Sequence, residues 1–321
     1  MKAMVLIGSR RMELQEIPLP RLCPQGILLR MEAAAICNAT DYRSYAAEDP
    51  TQRWPNLPWP VVLGHELAGC VIQVGKEVSN LKEGDRLVHW GISHGAFAEY
   101  CAVLPNEVAT FRVPKNVPSH EAVLLEVAMG AIRYLVSEKG DLLLKQGDRV
   151  MVAGLGPSGL IFLQYARLAG VAEIWVADHN KPRVEMARGL GATRVFSSVE
   201  ELTRVAQSEG VTMDVMIDCT GSDLHAFFAR LLRSEGLIVP YGSGCDWVAL
   251  KRMLGDKPFR KAEGDVEEIR KALPLLTTWV EAGALRLAPL VSRRVPLEET
   301  GCWLEALQKR PKNLVKVVLK A

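Results

Sequence analysis

Apolar and polar residues are arranged in two different ways along the 321 residues of the chain. From residue 1 to about residue 120, short apolar runs are separated by Gly, Pro, Asn and Asp, which predicts β-strands joined by turns. From residue 148, apolar runs of strand length alternate with amphipathic runs of helix length. This alternation predicts a parallel sheet that is covered by helices on both faces.

The chain is expected to leave its first domain once and to return to it. A run of helical length and period, SHEAVLLEVAMGAIRYLVSEKG, separates the two patterns, and a further helix, EEIRKALPLLTTWVEAG, begins the returning part. The closing strand, LVKVVLK, resembles the first pattern more than the second. We therefore predict an α/β protein of two domains. A mostly-β domain would contain residues 1–127 and 262–321, and a doubly wound parallel-sheet domain residues 128–261.

Composition and charge argue against several classes of function. The net charge is +2 and no block of five Lys or Arg residues occurs, so no nucleic-acid partner is expected. The longest uncharged run, residues 150–166, is shorter than the ~20 residues of a membrane span, and no secretory signal is recognisable. The seven cysteines are dispersed, which is typical of reduced thiols. We expect a soluble, cytoplasmic protein with no membrane partner.

A glycine-rich turn lies between the first strand and the first helix of the predicted parallel sheet. Its pattern is Gly154-x-Gly156-x-x-Gly159. In this context Gly154 allows a tight turn, Gly156 lets the backbone approach a pyrophosphate, and Gly159 lets the helix pack closely on the strand. The helix starts at Pro157, and from Ser158 onward its first turn supplies N–H groups and partial positive charge. The pattern predicts a dinucleotide site; the alternative is another α/β protein, such as a methyl donor-binding enzyme.

An acidic residue, Asp178, ends the next predicted strand, nineteen residues after Gly159. A carboxylate at this position accepts hydrogen bonds from the adenosine ribose hydroxyls and repels a 2′-phosphate. Lys181 and Arg183 are close in sequence and partly neutralise the carboxylate, and Arg183 is a further candidate for cofactor binding. We therefore predict NAD as the cofactor in preference to NADP.

His65 and Glu66 stand between two apolar runs, in the sequence VVLGHELAGCVIQVG. Polar groups that enter a buried environment must be hydrogen-bonded, paired or bound to a metal. Cys37, after an apolar strand, and Glu126, in an apolar helix, are further residues of ligand type. A catalytic zinc takes three such ligands and leaves one position open. Singly, each residue is more typical of a core or a solvated surface, but their order ahead of the glycine-rich turn favours a metal site.

These motifs resemble those of the zinc-dependent medium-chain dehydrogenase/reductase family, which includes alcohol, sorbitol and threonine dehydrogenases. The resemblance covers nearly the whole chain and rests on PLPRLCPQGILLRMEAAAIC, GHELAGCVIQVG, KEGDRLV, GAFAEY, GLGPSG and NLVKVVL, in that order. It implies a GroES-like, mostly-β catalytic domain and a Rossmann cofactor domain. It also implies a homodimer or homotetramer that assembles through the cofactor domains.

The resemblance also implies roles for individual residues. Cys37 and His65 would be zinc ligands, and Glu126 occupies the position where polyol and threonine dehydrogenases have a glutamate. The neighbouring Glu66 would also be able to bind the zinc, so the carboxylate bound at rest stays open. Asp41 would hold His65 in the correct tautomer.

Three features depart from the family pattern. The lobe with four cysteines that binds a structural zinc is absent, so we predict one zinc per chain, the catalytic one. The segment from Cys37 to Asp41, CNATD, is one residue longer than in the family. The resemblance implies that its Thr40 would be the proton-relay hydroxyl. Arg43 stands where a histidine often passes the proton outward, and a guanidinium does not shuttle protons near neutrality. Arg43 would instead bind an anionic group or lie solvated in a loop.

The resemblance implies interconversion of a secondary alcohol and its ketone, with a polyol, sugar, cyclitol or amino alcohol as the small-molecule substrate. The hydroxyl would bind zinc, Thr40 would take its proton, and the zinc alkoxide would deliver a hydride to NAD. Two alternatives stay open, a zinc-free NADPH-dependent quinone or alkene reductase of the same superfamily and a non-catalytic nucleotide-sensing protein. Polar and aromatic residues available to a hydroxyl-rich ligand are Asn38, Tyr42, Arg43, Tyr45, Trp54, Trp59, His89, Trp90 and His94.

Overall fold

The computed structural model describes residues 1–47, 60–92, 94–242, 247–309 and 311–320. The chain divides into two compact units, one formed by Met1–Val127 and Leu287–Ala321, the other by Ala128–Arg286. The first boundary coincides with the one expected from the sequence. The second boundary lies later, because residues 262–286 belong to the second unit and not to the first, where the sequence placed them.

Specific contacts hold the helix after residue 261 in the second unit. Trp279 packs against Tyr165, with 5.5 Å between the ring centroids. The side-chain amide of Gln164 donates to the carbonyl oxygen of Arg286 at 3.1 Å and accepts from its N–H at 2.7 Å. The period of an amphipathic helix shows that one face is buried but does not show against which domain.

The strands are short and mostly apolar. In the described residues they are, in chain order, β1 (Lys2–Gly8), β2 (Arg11–Glu16), β3 (Ile27–Ala35), β4 (Val61–Val62), β5 (Glu66–Val74), β6 (Arg86–Trp90), β7 (Tyr100–Val103), β8 (Ala109–Arg112), β9 (Arg149–Ala153), β10 (Glu173–Ala177), β11 (Arg194–Phe196), β12 (Met213–Asp218), β13 (Leu232–Pro240), β14 (Phe259–Lys261), β15 (Val291–Pro296) and β16 (Lys316–Lys320). Strands β9–β14 belong to the second unit and the others to the first.

Most of the helices belong to the second unit, between its strands. The α-helices of the described residues are α1 (Thr40–Ala46), α2 (Ser119–Ala122), α3 (Leu125–Ile132), α4 (Pro157–Leu168), α5 (Lys181–Leu190), α6 (Val199–Ser208), α7 (His225–Leu231), α8 (Trp247–Leu254), α9 (Val266–Glu281) and α10 (Thr300–Gln308). None of them is both long and apolar enough to cross a membrane.

The described part of the first unit contains two sheets. The smaller has the strand order β2-β1-β4, and the larger has the order β15-β16-β3-β5-β6-β8, with β7 also paired to β3. Strand β3 pairs antiparallel with both β5 and β16. The returning strand β16 therefore lies on the opposite edge of β3 from β5, and the ends of all three strands come together near Ala35, which pairs with Glu66 and with Val318.

The strands described in the second unit form a parallel sheet with the order β11-β10-β9-β12-β13-β14. This is the doubly wound Rossmann arrangement that the sequence predicts, and its strand order reverses between β9 and β12, where such sheets bind ligands at the carboxyl ends of the strands. Strand β14 was not predicted, because it is three residues long and two of them, Arg260 and Lys261, are charged.

The single helix predicted over residues 119–140 forms two shorter helices, α2 and α3. The N–H groups of Leu124 and Glu126 donate to carbonyl oxygens three residues earlier, those of Glu121 and Val123, at 3.0 and 3.3 Å. These tighter bonds interrupt the α-helical pattern between the two helices. Glu126 consequently lies in the first turn of α3, where its side chain is buried.

Candidate metal centre and cofactor cradle

Three side chains of the first unit form a cluster that has the composition of a metal site. The ligand atoms of Cys37, His65 and Glu66 (a thiol sulfur, a ring nitrogen and a carboxylate oxygen) all lie within 4.8 Å of one another. The pairing of β3 with β5 explains this, because Ala35 lies opposite Glu66 and Cys37 follows two residues later. These are three of the four residues that the sequence indicates as metal ligands.

The turn that presents His65 requires glycine at position 64. Gly64 has a φ of +92°, and a Cβ atom there would lie 2.4 Å from the ring of Phe97. The N–H of Phe97 donates to the carbonyl oxygen of Leu63 at 3.0 Å, so the turn is held against the same residue. A side chain at position 64 would combine backbone strain with a clash and would displace His65.

Asp41 connects two of the clustered residues. It is buried in the first turn of α1. Its Oδ1 lies 3.1 Å from Nδ1 of His65, and its Oδ2 accepts a hydrogen bond from the N–H of Cys37 at 2.8 Å. The N–H of Thr40 donates to the Cys37 sulfur at 3.4 Å. With Nδ1 engaged by a carboxylate, the other ring nitrogen of His65 is the one available to a metal.

Lys316, which sequence reasoning missed, is a further charged group at the cluster. Its Nζ lies 2.5 Å from Glu66 Oε1 and 3.1 Å from the carbonyl oxygen of Ile36. The side chains of Lys316 and Glu66 are only 2% and 1% exposed. The available signal was a lysine inside an apolar strand, the same kind of anomaly that drew attention to His65.

The second carboxylate oxygen of Glu66 provides a test of whether a metal fits. Glu66 Oε2 is buried and has no hydrogen-bond partner among the described residues. An unpaired buried carboxylate oxygen is costly unless a cation or a donor satisfies it. A thiolate, an imidazole and a carboxylate oxygen are zinc ligands in proteins, so the residues present fit a zinc ion.

Glu126 is near the cluster but is not one of its three members. Burial raises the pKa of Glu126 to about 7, with the charge of His65 opposing this rise and that of Glu66 adding to it. Burial lowers the pKa of His65, but Asp41 and Cys37 outweigh it and hold that pKa well above its ordinary value. A divalent cation would release these protons, since a metal binds the deprotonated forms.

The glycine-rich turn of the second unit has the shape of a phosphate cradle. Gly154 has a φ of +85°, and a Cβ atom on Gly159 would lie 1.9 Å from the carbonyl oxygen of Gly154. A Cβ atom on Gly156 would meet nothing within 4 Å, so the backbone there is open to a ligand. Helix α4 begins directly at Pro157, followed by Ser158, and its first N–H groups are free of α-helical bonds.

Asp178 follows the second strand of this unit, β10, and is tied to the cradle. Its Oδ2 accepts from the N–H of Leu155 at 2.6 Å, and its Oδ1 accepts from the N–H of Asn180 at 2.7 Å. Each carboxylate oxygen has a further lone pair for a ribose hydroxyl. Arg183 lies in the first turn of α5, which the side chain of Asn180 caps.

Most residues considered for a hydroxyl-rich substrate have structural contacts. Tyr45 donates to the carbonyl oxygen of Arg10 at 3.0 Å, and Arg10 donates to the Tyr42 hydroxyl at 3.0 Å. His89 is fully buried, with its Nδ1 2.9 Å from Thr110 Oγ1. Asn38 donates to the carbonyl oxygen of Val315 at 3.3 Å, Arg43 is exposed on α1, and Trp54 and Trp59 lie outside the described residues.

Both units match known protein families. Residues 23–115 match the family described as alcohol dehydrogenase GroES-like domain, and residues 157–254 match the family described as zinc-binding dehydrogenase. The first match contains Cys37, His65 and Glu66, and the second begins at Pro157, the first residue of α4.

Individual proteins resemble the chain over almost its whole length. Sorbitol dehydrogenase of Macaca fascicularis is 28% identical, over 99% of this chain and 95% of the relative. L-Threonine 3-dehydrogenase of Symbiobacterium thermophilum is 28% identical, over 92% of this chain and 90% of the relative. Among solved structures, alcohol dehydrogenase TADH from Thermus sp. ATN1 matches with a TM-score of 0.81 and 25% identity, over 100% of this chain and 99% of that one.

Proposed function

This chain belongs to the zinc-type medium-chain dehydrogenase/reductase family, and we propose that it is a zinc-dependent NAD(H) oxidoreductase that interconverts a secondary alcohol and its ketone. The observation that carries the proposal is the cluster of Cys37, His65 and Glu66, in which the buried Glu66 has a carboxylate oxygen with no hydrogen-bond partner among the described residues. Sorbitol and L-threonine, the namesakes of two relatives, are a polyol and an amino alcohol. We therefore propose a polyol, sugar, cyclitol or amino alcohol as the substrate class.

The zinc would be held by Cys37 Sγ, the second ring nitrogen of His65, and Glu66 Oε2, and we propose that Glu126 exchanges with Glu66 during turnover. When bound, zinc supplies a Lewis acid that lowers the pKa of a hydroxyl group. Asp41 fixes the tautomer and the ring orientation of His65 through the contact at Nδ1. One zinc per chain is expected.

Thr40 is the hydroxyl that we propose to receive the substrate proton. It opens α1 next to Asp41, and its N–H already contacts the Cys37 sulfur. Arg43, one turn further along α1, carries a guanidinium that stays protonated, so it does not pass this proton outward. Its side chain is exposed, and we propose that it contributes to binding an anionic group of the ligand.

NAD would be bound by the second unit. Its pyrophosphate would lie at the turn of Gly154, Gly156 and Gly159 and at the start of α4, and its adenosine ribose at Asp178. The carboxylate of Asp178 is buried beside the cradle and is unfavourable for the 2′-phosphate of NADP. Arg183 would lie near the same ribose.

We propose a homodimer or homotetramer in the cytoplasm. On α8 of the second unit, Val248 and Met253 are 68% and 54% exposed, and large apolar side chains at such exposure favour a covered surface. The thiols of Cys23 and Cys302 are free and exposed, which favours a reducing compartment.

Zinc content is the experiment that tests the proposal first. Elemental analysis of dialysed protein should give close to one zinc per chain. Cys37→Ser and His65→Ala should remove both the zinc and the NAD-dependent oxidation of a polyol panel. Cys70→Ser is the matched control, because Cys70 lies on the same sheet outside the cluster and should keep both.

The outcomes separate the competing functions. A zinc content near zero that reconstitution cannot raise would refute the zinc site and favour the NADPH-dependent quinone or alkene reductase. Retention of full activity in Cys37→Ser would also refute the zinc site. Tight NAD binding without turnover of any alcohol or ketone would favour the nucleotide-sensing protein.

A further inference from the structure

Lys316 is buried at the candidate metal centre, although the proposed reaction gives it no task. The side chain is 2% exposed, and a lysine is almost never buried to this extent unless it is paired. Its partners are Glu66 Oε1 at 2.5 Å and the carbonyl oxygen of Ile36 at 3.1 Å. The ammonium group thus donates hydrogen bonds to two groups at the centre, from the strand β16 on which Lys316 lies.

Both partners of Lys316 adjoin proposed zinc ligands. Ile36 directly precedes Cys37, so the bond to its carbonyl oxygen fixes the backbone from which the thiol extends. Glu66 is itself a proposed ligand, and Lys316 contacts only one of its two carboxylate oxygens. The other oxygen, Oε2, is buried and has no hydrogen-bond partner among the described residues. A carboxylate oxygen of Glu66 lies within 4.8 Å of the ligand atoms of Cys37 and His65.

We propose that Lys316 is a built-in counter-ion of the metal centre, which shares the Glu66 carboxylate with zinc: Lys316 holds Oε1 and leaves Oε2 to the metal. This inference rests on the zinc site of the proposed function. Lys316 is a positioning residue, since it acts on the metal through Glu66 and through the backbone before Cys37.

Two consequences follow from the charges. Without zinc, Lys316 is the cation that compensates the buried Glu66, so the metal-free first unit stays folded. With zinc, the metal supplies a second positive charge to the same carboxylate, and the ammonium becomes less important for stability. Removing one partner of a buried ion pair leaves an uncompensated charge, whereas removing both partners is often nearly neutral.

The experiment compares thermal unfolding of Lys316→Met with and without zinc. The metal-free variant should melt roughly 10 °C below the metal-free wild type, because Glu66 loses its cation. When both proteins are saturated with zinc chloride, the difference between their melting temperatures should be at most half of the metal-free difference. Lys320→Met is the matched control, because Lys320 is an exposed lysine of the same strand and should melt with the wild type in both conditions.

A lysine with only a structural role would lower the melting temperature equally with and without zinc, and that result would overturn the proposal. So would a metal-free Lys316→Met variant that melts with the wild type. If Lys316→Met does not fold without zinc, the double variant Glu66→Gln/Lys316→Met decides. Its recovery as a folded metal-free protein supports the proposal. A yield of folded metal-free protein no higher than that of Lys316→Met refutes it.

The visible absorption of the Co²⁺-loaded protein tests the sharing of the carboxylate. In Lys316→Met the freed Oε1 should join Oε2 on the metal, and the added ligand should reduce the d–d absorption of the wild type. An unchanged spectrum would overturn the proposal that Lys316 and the metal share the Glu66 carboxylate. Failure of the wild type to take up Zn²⁺ or Co²⁺ would instead refute the proposed zinc site, and this result is obtained from the wild type alone.

Discussion

Asp41 and His65 are joined by a contact of 3.1 Å between Oδ1 and Nδ1, and the other oxygen of Asp41 accepts the N–H of Cys37. A single buried carboxylate thereby orients a histidine and a cysteine that are far apart in sequence. Its charge also favours the imidazole tautomer whose other nitrogen faces the cluster. The position of two proposed zinc ligands therefore depends on a residue that does not bind the metal.

Asp41→Asn should weaken zinc binding by about 10- to 100-fold, the usual effect of losing a partner behind a metal ligand. An amide is uncharged and presents only one acceptor oxygen, so it cannot serve both His65 and Cys37 as the carboxylate does. Competition with a zinc chelator measures the affinity. Asp85→Asn, at a carboxylate paired with Arg112 elsewhere in the first unit, is the control. Equal affinities of Asp41→Asn and wild type would contradict the role of Asp41.

Asp178→Asn should lower the preference for NAD⁺ over NADP⁺ by at least about tenfold, because ~1.4 kcal/mol of charge repulsion corresponds to that factor. The amide keeps the size of the side chain and one acceptor oxygen. The measurement is the ratio of kcat/KM values for the two cofactors with one alcohol substrate. A wild-type enzyme that prefers NADP⁺ would contradict the assignment of Asp178.

Gly159→Ala should abolish tight NAD binding, because its Cβ atom would lie 1.9 Å from the carbonyl oxygen of Gly154 and would force the cradle apart. We expect at least about a tenfold rise in the Kd for NAD⁺, measured by calorimetry. Gly189→Ala is the control, since a Cβ atom there meets nothing within 4 Å. This helix position should gain up to about 1 kcal/mol of stability. Unchanged NAD⁺ affinity in Gly159→Ala would show that the turn is not the cradle.

His89 should make the first unit less stable in acid. Burial lowers the pKa of His89 to about 3, whereas an unfolded histidine titrates near its ordinary value of about 6.5. The unfolded state therefore binds the proton first. The neutral ring of His89 stabilises the folded state fully above about pH 6.5, and this stabilisation is lost progressively as the pH falls towards 3. At pH 5 the loss in the free energy of unfolding is about 2 kcal/mol.

Urea unfolding of the metal-free protein at pH 8 and at pH 5 measures this effect. The difference in the free energy of unfolding between the two values should be about 2 kcal/mol smaller in His89→Gln, which has no titrating ring. His179→Gln is the control, because the His179 side chain is 83% exposed. The same pH dependence in wild type and His89→Gln would contradict the prediction.

The sequence predicted those parts of the molecule whose residue types are unusual for their surroundings. Glycines at fixed spacing after a strand indicated the turn that we propose as the phosphate cradle, and His65 and Glu66 in an apolar segment indicated the cluster that we propose as the metal site. The Rossmann sheet followed from the alternation of strand and helix patterns, and the strand order places Gly154 and Asp178 directly after two neighbouring strands, β9 and β10.

Features that depend on distant pairing were not predictable in the same way. Lys316 in an apolar strand looks like a solvated edge residue until β16 is known to pair with β3 and to bring it to Glu66. Helix α9 has a clear period, but only the contacts of Trp279 and Arg286 show that it belongs to the second unit. Periodicity shows which face of an element is buried, but only the tertiary structure shows which other element covers that face.

The ion pair between Glu66 and Lys316 also has a consequence for the order of folding. These residues are 250 positions apart in the chain, and the whole second unit lies between them. Contacts of such separation form late, because the entropy of closing the intervening loop must be overcome first. Cys37, His65 and Glu66 can approach one another as soon as β3 and β5 pair, but their enclosure must wait for β16. We therefore expect the ion pair of Glu66 with Lys316 to be among the last contacts of the first unit to form, after Cys37, His65 and Glu66 have come together.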